Sequence, residues 1–218
     1  MVNNSYQAAL FDLDGVVFDT ESQYSIFWGG QGKIYHPAMS DFAQRIKGQT
    51  LEQIYDGYFS DGLESEREII TQRLNAFEAH MNFPYIAGFQ QFVAQLRERG
   101  LKTAVVTSSN QAKMEQVYAK RPEFRSFFDE ILTAEDFAAS KPAPDCYLTA
   151  ARRFGVAPAH CLVFEDSING LKSGKAAGMT LVGLSTTNPA EVVSAWADKV
   201  MADYQDNPLQ VLSIPNKK

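Results

Sequence analysis

Cysteine and histidine are scarce in this sequence, which excludes two common ways of building a small protein or a metal centre. Of 218 residues, two are cysteines, Cys146 and Cys161, and three are histidines, His36, His80 and His160. None of the five stands at the spacing of a metal-binding motif, and two distant cysteines do not make a disulfide framework. We interpret both cysteines as small core residues.

Long apolar runs and basic clusters are also missing. No stretch approaches the about 18 consecutive apolar residues of a transmembrane helix, and the N-terminal MVNNSYQAALF lacks a basic region followed by a long apolar segment. The net charge is −6 and lysine and arginine form no cluster on one face, which argues against nucleic-acid binding. We therefore expect a soluble cytoplasmic protein that binds neither membranes nor nucleic acid. We also expect a monomer.

Five short apolar runs are present, and each is continuous and does not alternate with polar residues. They cover residues 7–11, 102–107, 130–133, 161–164 and 180–184. Such runs are typical of strands buried on both faces. Helical patterns lie between them, for example 88–99 before Gly100 and 145–154 before Gly155. This order predicts an α/β fold with a Rossmann-like parallel sheet, in which ligands bind beyond the carboxyl ends of the strands.

Residues 19–87 have a different character, because they are helical in composition and contain no buried-strand run. We interpret them as an α-helical cap domain inserted after the first strand, so that 1–18 and 88–218 form the core domain. Three glycines and a proline in Trp28 to Pro37 predict that the first inserted helix breaks there.

The stretch LFDLDGVVFDTE at residues 10–21 places Asp12 and Asp14 directly after the first apolar run. A second acidic pair, Glu165 and Asp166, follows the fourth run. Carboxylates gathered at one edge of a sheet repel one another and lose hydration, so they stay ionised only beside a cation. An all-oxygen set of this kind favours Mg²⁺, which shares its remaining positions with water and phosphate.

One of these carboxylates remains free to act as a nucleophile, and Asp12 is the candidate for attack on phosphorus. Asp14 follows it across a turn that Gly15 permits. It can protonate the leaving oxygen and later deprotonate the water that hydrolyses the aspartyl-phosphate intermediate. Thr20 is more typical of a helix cap or hinge, although its hydroxyl can reach Asp14 when the cap moves.

Donors for the transferring phosphoryl group are expected after the second strand. Thr107 ends that run, and the N–H groups of Ser108 and Ser109 are predicted at the start of the next helix. Lys141, which precedes Pro142, adds a compact positive charge where negative charge accumulates.

Together these residues closely resemble the haloacid dehalogenase superfamily, whose phosphotransferases carry DxDG, a Ser or Thr, a Lys and an acidic pair. The sequence segments DLDGV, KPAPD and FEDSINGLKSGKAAGM look most like those of the β-phosphoglucomutase-like subgroup. The resemblance spans essentially the whole chain. It implies that Asp12 is the nucleophile and Asp14 the acid/base. It also implies that Asp12, the Asp14 carbonyl and Asp166 hold Mg²⁺ with Glu165 nearby.

The resemblance also implies that a cap loop selects the substrate. Lys47, Gly48, Gln49 and Thr50 occupy that loop here, and Leu51 stands where a β-phosphoglucomutase has an arginine. Tyr24 stands in the place of a cap histidine. A mutase must bind a second phosphate, and an apolar residue removes a bidentate partner for it.

The leading hypothesis is therefore a Mg²⁺-dependent phosphatase that acts on a small phosphate ester, a sugar or polyol phosphate. Arg45, Lys47 or Arg73 could replace the missing charge, so a β-phosphoglucomutase remains an alternative. Hydrolysis of inorganic pyrophosphate is a second alternative. A non-catalytic protein that binds a phosphorylated metabolite is disfavoured, because a competent residue fills every catalytic position.

Overall fold

The computed structural model describes residues 6–47, 49–206 and 208–213, and within them strands and helices alternate along the chain. The strands are β1 (Ala8–Phe11), β2 (Lys102–Val106), β3 (Glu130–Leu132), β4 (Cys161–Glu165), β5 (Thr180–Leu184) and β6 (Lys199–Met201). The helices are α1 (Glu21–Tyr35), α2 (Phe42–Arg45), α3 (Leu51–Tyr58), α4 (Glu66–His80), α5 (Phe89–Glu98), α6 (Gln111–Lys120), α7 (Asp145–Phe154), α8 (Ile168–Ala176), α9 (Ala190–Ser194) and α10 (Pro208–Val211). No helix in these ranges combines the length and apolarity needed to cross a membrane.

The six strands form one parallel sheet in the order β3-β2-β1-β4-β5-β6. The predicted Rossmann-like α/β fold is thereby confirmed. Since β1 lies between β2 and β4, the chain segments that leave these three strands meet at the centre of one sheet edge. The residues that follow these three strands include the candidates Asp12, Thr107 and Asp166.

Both faces of the sheet are covered, as the continuous apolar runs indicate. Along β1, Ala9 and Phe11 belong to one buried cluster, whereas Ala8 and Leu10 belong to the other. This alternation follows from the two-residue period of a strand. Phe11 also stacks on Phe164 of β4, with ring centroids 4.4 Å apart. The strand that carries the acidic motif is therefore held rigidly on both sides.

The five strands predicted from apolar runs all occur, each within a residue of its predicted ends. The sixth strand, β6, was not predicted. It has three residues and lies at the edge of the sheet, where its outer residues Lys199 and Val200 are not fully buried. A strand this short and partly exposed has no continuous apolar run to identify it.

Helices α1 to α4 pack around a cluster of their own, whose buried members include Trp28, Phe42, Ile54 and Phe59. The predicted break in the first inserted helix is wrong, because α1 runs unbroken from Glu21 to Tyr35. One of the three glycines in this helix, Gly32, is needed for packing. A Cβ there would lie 2.8 Å from Cβ of Phe42, so the glycine allows α2 to pack closely. Tertiary packing outweighs the low helix propensity of glycine.

Candidate active site

A cavity of about 470 Å³ lies between the carboxyl ends of the strands and the helices α1, α3 and α4. Most of the residues selected from the sequence line it, namely Asp12, Asp14, Lys47, Gln49, Thr50, Thr107, Ser108, Ser109, Lys141 and Asp166. Glu165 is fully buried behind this surface. Gly48 lies outside the described residues. The fold therefore brings together side chains that are as far apart in the chain as Asp12 and Asp166.

Lys141 connects two of the acidic residues. Its Nζ atom donates to Oδ1 of Asp12 and to Oε1 of Glu165, both at 2.6 Å, and to the carbonyl oxygen of Val106 at 3.0 Å. Burial alone would lower the pKa of Lys141, but Asp12 and Glu165 raise it above its ordinary value. The lysine therefore stays ionised. It lies in the turn before α7, which begins at Asp145.

The carboxylate of Glu165 is saturated with hydrogen bonds. Lys141 and the hydroxyl of Tyr147 donate to Oε1, the latter at 2.7 Å. Oε2 accepts the hydroxyl of Ser167 at 3.1 Å and the N–H groups of Asp166 and Ser167 at 3.2 and 3.3 Å. Glu165 has little capacity left for a further ligand, so its contacts point to positioning of Lys141.

Asp12, Glu165 and Asp166 form the acidic cluster, in which one oxygen of each lies within 4.8 Å of the others. Burial, together with Glu165 and Asp14, raises the pKa of Asp12 to about 7 despite Lys141. Burial and then the charges of Glu21 and Glu165 raise the pKa of Asp166 well above its ordinary value. Both shifts follow from burial and from the neighbouring carboxylates, whose effect on Asp12 is only partly offset by Lys141.

The donor atoms at this point suit Mg²⁺, which binds hard carboxylate and carbonyl oxygens. Within the described chain no hydrogen-bond donor reaches the carbonyl oxygen of Asp14, whereas the Thr187 hydroxyl donates to Oδ2 of Asp166. Gly15 has φ +74°, and a Cβ there would lie 2.0 Å from the same Asp166 oxygen. The absence of a side chain therefore lets Asp166 approach the backbone next to Asp14.

The carboxylate of Asp14 has three partners. The Thr20 hydroxyl donates to Oδ1 at 2.5 Å, which is the contact considered from the sequence. Thr20 occupies the position before α1, yet its side chain does not cap that helix, because the hydroxyl is used by Asp14. Nζ of Lys113 lies 2.5 Å from Oδ2, and the Ser109 hydroxyl donates to the same oxygen at 3.4 Å.

Lys113 was not found by sequence reasoning. It lies in the first turn of α6 and is buried, although a lysine on a helix is usually solvated. The available signal was its place in the helix that follows β2, whose start meets the same sheet edge as Asp14. Its Nζ atom also lies 4.5 Å from the ring centroid of Tyr24 on α1.

The loop after β2 differs from its predicted form. Helix α6 begins at Gln111, where Asn110 caps it, so Ser108 and Ser109 precede the helix. The N–H of Ser109 donates to Oγ1 of Thr107 at 3.0 Å and is thus used within the loop. The hydroxyl of Ser108 is buried and has no partner among the described residues. An unsatisfied buried hydroxyl that lines a cavity is available to a polar ligand.

The side of the cavity formed by residues between 21 and 78 carries acids as well as bases. Lys47 lies 3.4 Å from Glu21, and both side chains are mostly buried. The hydroxyl of Tyr24 donates to Oε1 of Glu78 at 2.8 Å. Burial raises the pKa of Glu78, although Lys113 and Tyr24 oppose this effect.

Two of the three cations considered for a second phosphate do not line the cavity. Arg45 is exposed and pairs with Asp41, with Nε 2.9 Å from Oδ2. Arg73 donates to Gln31 and Tyr35 at 3.3 Å. Leu51 does line the cavity. The position that would carry an arginine in a β-phosphoglucomutase is therefore an apolar part of the cavity wall in this chain.

The family model of haloacid dehalogenase-like hydrolases matches residues 6–178. Validoxylamine A 7'-phosphate phosphatase of Streptomyces hygroscopicus subsp. limoneus is 27% identical, with 92% of this chain and 95% of that protein covered. β-Phosphoglucomutase of Bacillus subtilis is 28% identical, with coverage of 94% and 93%. The crystal structure of a family IA haloacid dehalogenase hydrolase from Entamoeba histolytica superposes with a TM-score of 0.80 at 20% identity, covering 94% and 97% of the two chains.

Proposed function

Because the chain belongs to the haloacid dehalogenase-like hydrolases, we propose that it is a phosphatase that hydrolyses a small phosphorylated metabolite through a phosphorylated Asp12. The arrangement of Asp12 and Lys141 carries this proposal. Lys141 holds Oδ1 of Asp12, while no described residue hydrogen-bonds to Oδ2. One oxygen is fixed and the other is available to the substrate, which is the geometry that an oriented nucleophile needs.

In the first step, an oxygen of Asp12 forms a bond to phosphorus as the bond from phosphorus to the leaving oxygen breaks. Asp14 enters this step as the carboxylic acid, gives its proton to that oxygen, and becomes the carboxylate with which Lys113 pairs. In the second step, Asp14 takes a proton from water, the water oxygen bonds to phosphorus, and the acyl phosphate bond breaks to release phosphate. Thr20 and Lys113 orient the Asp14 carboxylate for both proton transfers.

Two hydroxyl-bearing residues are available for the phosphoryl oxygens, because the Ser108 hydroxyl is unsatisfied and Thr107 lines the cavity. The Lys141 ammonium, whose three N–H groups are already used, adds positive charge beside Asp12. They match the charge that develops on the transferring group. Asp12, Asp166 and the Asp14 carbonyl would hold Mg²⁺. When bound, that ion neutralises the carboxylates and polarises a phosphoryl oxygen.

Helices α1 to α4, within residues 19–87, act as the cap in this proposal. Lys47, Gln49 and Thr50 line the cavity and are the proposed substrate-binding residues of the cap. The amide of Gln53 at the start of α3 donates to the carbonyl oxygen of Lys141 at 3.0 Å. This bond joins the cap to the residue that orients the nucleophile, so closure over the substrate and correct placement of Lys141 are linked.

A phosphatase is favoured over a mutase because a second phosphate finds no unused cation. Of the described residues around the cavity, the cationic ones are Lys47, Lys113 and Lys141. Each of them is already paired with a carboxylate. A second phosphate would have to break one of these pairs, which costs free energy.

The proposal is tested by incubating the protein and Mg²⁺ with sugar phosphates, polyol phosphates and inorganic pyrophosphate, and measuring released phosphate. A parallel assay follows interconversion of β-glucose 1-phosphate and glucose 6-phosphate with a bisphosphate primer. We expect release from monoesters and none of the interconversion. Interconversion without net release would establish the mutase, and cleavage of pyrophosphate alone would establish the pyrophosphatase.

A further inference from the structure

One carboxylate on the cap side of the cavity has no role in the proposed chemistry. Glu78 lies on α4 near its end and is buried, yet it lines the cavity. Its Oε1 accepts the hydroxyl of Tyr24 at 2.8 Å. In the described part of the chain, no donor hydrogen-bonds to Oε2 and no lysine, arginine or histidine forms an ion pair with the residue. The Oε2 atom of Glu78 therefore has no hydrogen-bond partner among the described residues.

The contacts around Glu78 distinguish it from Glu21 and Asp14, two other acids that line the cavity. Glu21 is paired with Lys47, and Asp14 is paired with Lys113. Glu78 has only the neutral hydroxyl of Tyr24, whose ring also contacts Lys113. Tyr24 therefore fixes the direction of the carboxylate without neutralising it.

The neighbouring side chains share this lack of partners. Ser25 of α1 and Asn75 of α4 line the same cavity, and neither side chain hydrogen-bonds within the described residues. Serine and asparagine can donate or accept, whereas an ionised glutamate can only accept. A ligand group that donates a hydrogen bond satisfies Glu78, and a second phosphate or a carboxylate would meet repulsion from it.

We propose that Glu78 is a specificity-determining residue that accepts a hydrogen bond from a hydroxyl or ammonium group of the leaving group. The substrates would thus be monophosphate esters of polyols or amino alcohols that carry no second anionic group. This inference rests on the proposed phosphatase function and adds the substrate class to it.

The test uses pairs of phosphate esters that differ in the donor alone. The pairs are glycerol 3-phosphate with propyl phosphate, erythritol 4-phosphate with butyl phosphate, and phosphoethanolamine with ethyl phosphate. The first two pairs test a hydroxyl and the third tests an ammonium group. Phosphoglycolate, which places a carboxylate at the position of the ammonium, completes the set. For each ester, kcat/KM is measured from phosphate release.

Wild-type protein should prefer the donor-bearing member of a pair by about tenfold or more, because a hydrogen bond to a charged group is among the stronger ones. It should hydrolyse phosphoglycolate least. Glu78→Gln should reduce the preference, and Glu78→Leu should abolish it. The ratio within a pair is the measured quantity, so a general loss of activity does not affect the result.

Glu66→Gln provides a matched control. Glu66 also lies on α4 and accepts a tyrosine hydroxyl at 2.8 Å, from Tyr35 of α1, but it does not line the cavity. Its substitution should leave the ratios unchanged.

If wild type shows no preference, or if both Glu78 variants keep it, Glu78 does not select the substrate. If alkyl phosphates are hydrolysed in that case, the phosphatase proposal stands. If no ester releases phosphate, both proposals are overturned.

Discussion

Nζ of Lys113 lies 2.5 Å from Oδ2 of Asp14, and both side chains are largely buried. This ion pair joins the start of α6 to the loop after β1, so a helix that carries no acidic motif determines how the proposed acid/base is oriented. Removing one partner of a buried pair leaves the other charge uncompensated.

Lys113→Met should therefore lower both stability and activity. We expect the free energy of unfolding to fall by about 1–3 kcal/mol, less than for a fully buried pair because the Asp14 side chain keeps 18% of its exposure. Denaturant unfolding measures this. The double variant with Asp14→Asn should lose less than the sum of the single losses. Additive losses would show that the two side chains do not interact.

Asp12→Asn should abolish turnover while the protein stays folded, because the amide is nearly isosteric but does not attack phosphorus. We expect kcat to fall by at least about a thousandfold, as for loss of other catalytic nucleophiles. Asp19→Asn is the control, since Asp19 is exposed and lies in the same loop. Mass spectrometry of quenched wild-type protein should find phosphate on Asp12. An adduct on another side chain would reassign the nucleophile.

Mg²⁺ should stabilise the protein as well as activate it. The acidic cluster has oxygens within 4.8 Å of one another, so an added cation relieves their repulsion. At about 100 times its dissociation constant, a bound ligand adds about 2.7 kcal/mol to the free energy of unfolding. Asp166→Asn should reduce this gain, whereas Asp206→Asn, an exposed position, should not. Full activity after chelation would contradict the metal assignment.

Leu51→Arg should introduce a cation where the cavity has an apolar wall. We expect it to increase any interconversion of hexose phosphates in the presence of a bisphosphate primer, because arginine binds phosphate through two hydrogen bonds. Leu51→Met is the control, because it replaces the branched side chain by an unbranched one without adding a charge. An Arg variant with no more interconversion than the Met variant would place the distal phosphate site elsewhere.

Gly170→Ala should destabilise the protein by about 1–3 kcal/mol, the usual cost of overpacking a core. The new Cβ would lie 1.8 Å from Oε1 of Glu165, the oxygen that Lys141 contacts, so activity should fall as well. Gly29→Ala in α1 is the matched control, because a Cβ there meets nothing within 4 Å. It should stabilise the helix by up to about 1 kcal/mol. Equal effects of the two substitutions would show that Glu165 tolerates displacement.

The local sequence was sufficient for some features. Continuous apolar runs predicted five strands, which the structure contains. The polar residues after β1, β2 and β4 predicted that Asp12, Thr107 and Asp166 lie at one edge of the sheet, and all three line the cavity. Both inferences depend on residues that are close in the chain, and the rules for parallel sheets then place those strand ends at one edge.

Other features depend on contacts between distant segments. In the sequence, Lys113 cannot be distinguished from a surface lysine. In the structure it is buried, because α6 packs beside Asp14. Gly29, Gly30 and Gly32 predict a broken helix until Phe42 is seen to pack against α1.

The sequence by itself thus determined the fold class and the presence of carboxylates at the carboxyl edge of the sheet, because strand periodicity and chain order are local properties. Only the tertiary structure decided which acid is neutralised by which lysine, that Glu165 is saturated, and that one oxygen of Glu78 is left free. The reason is that charge compensation in a buried site depends on distances between side chains, and no spacing along the chain records them.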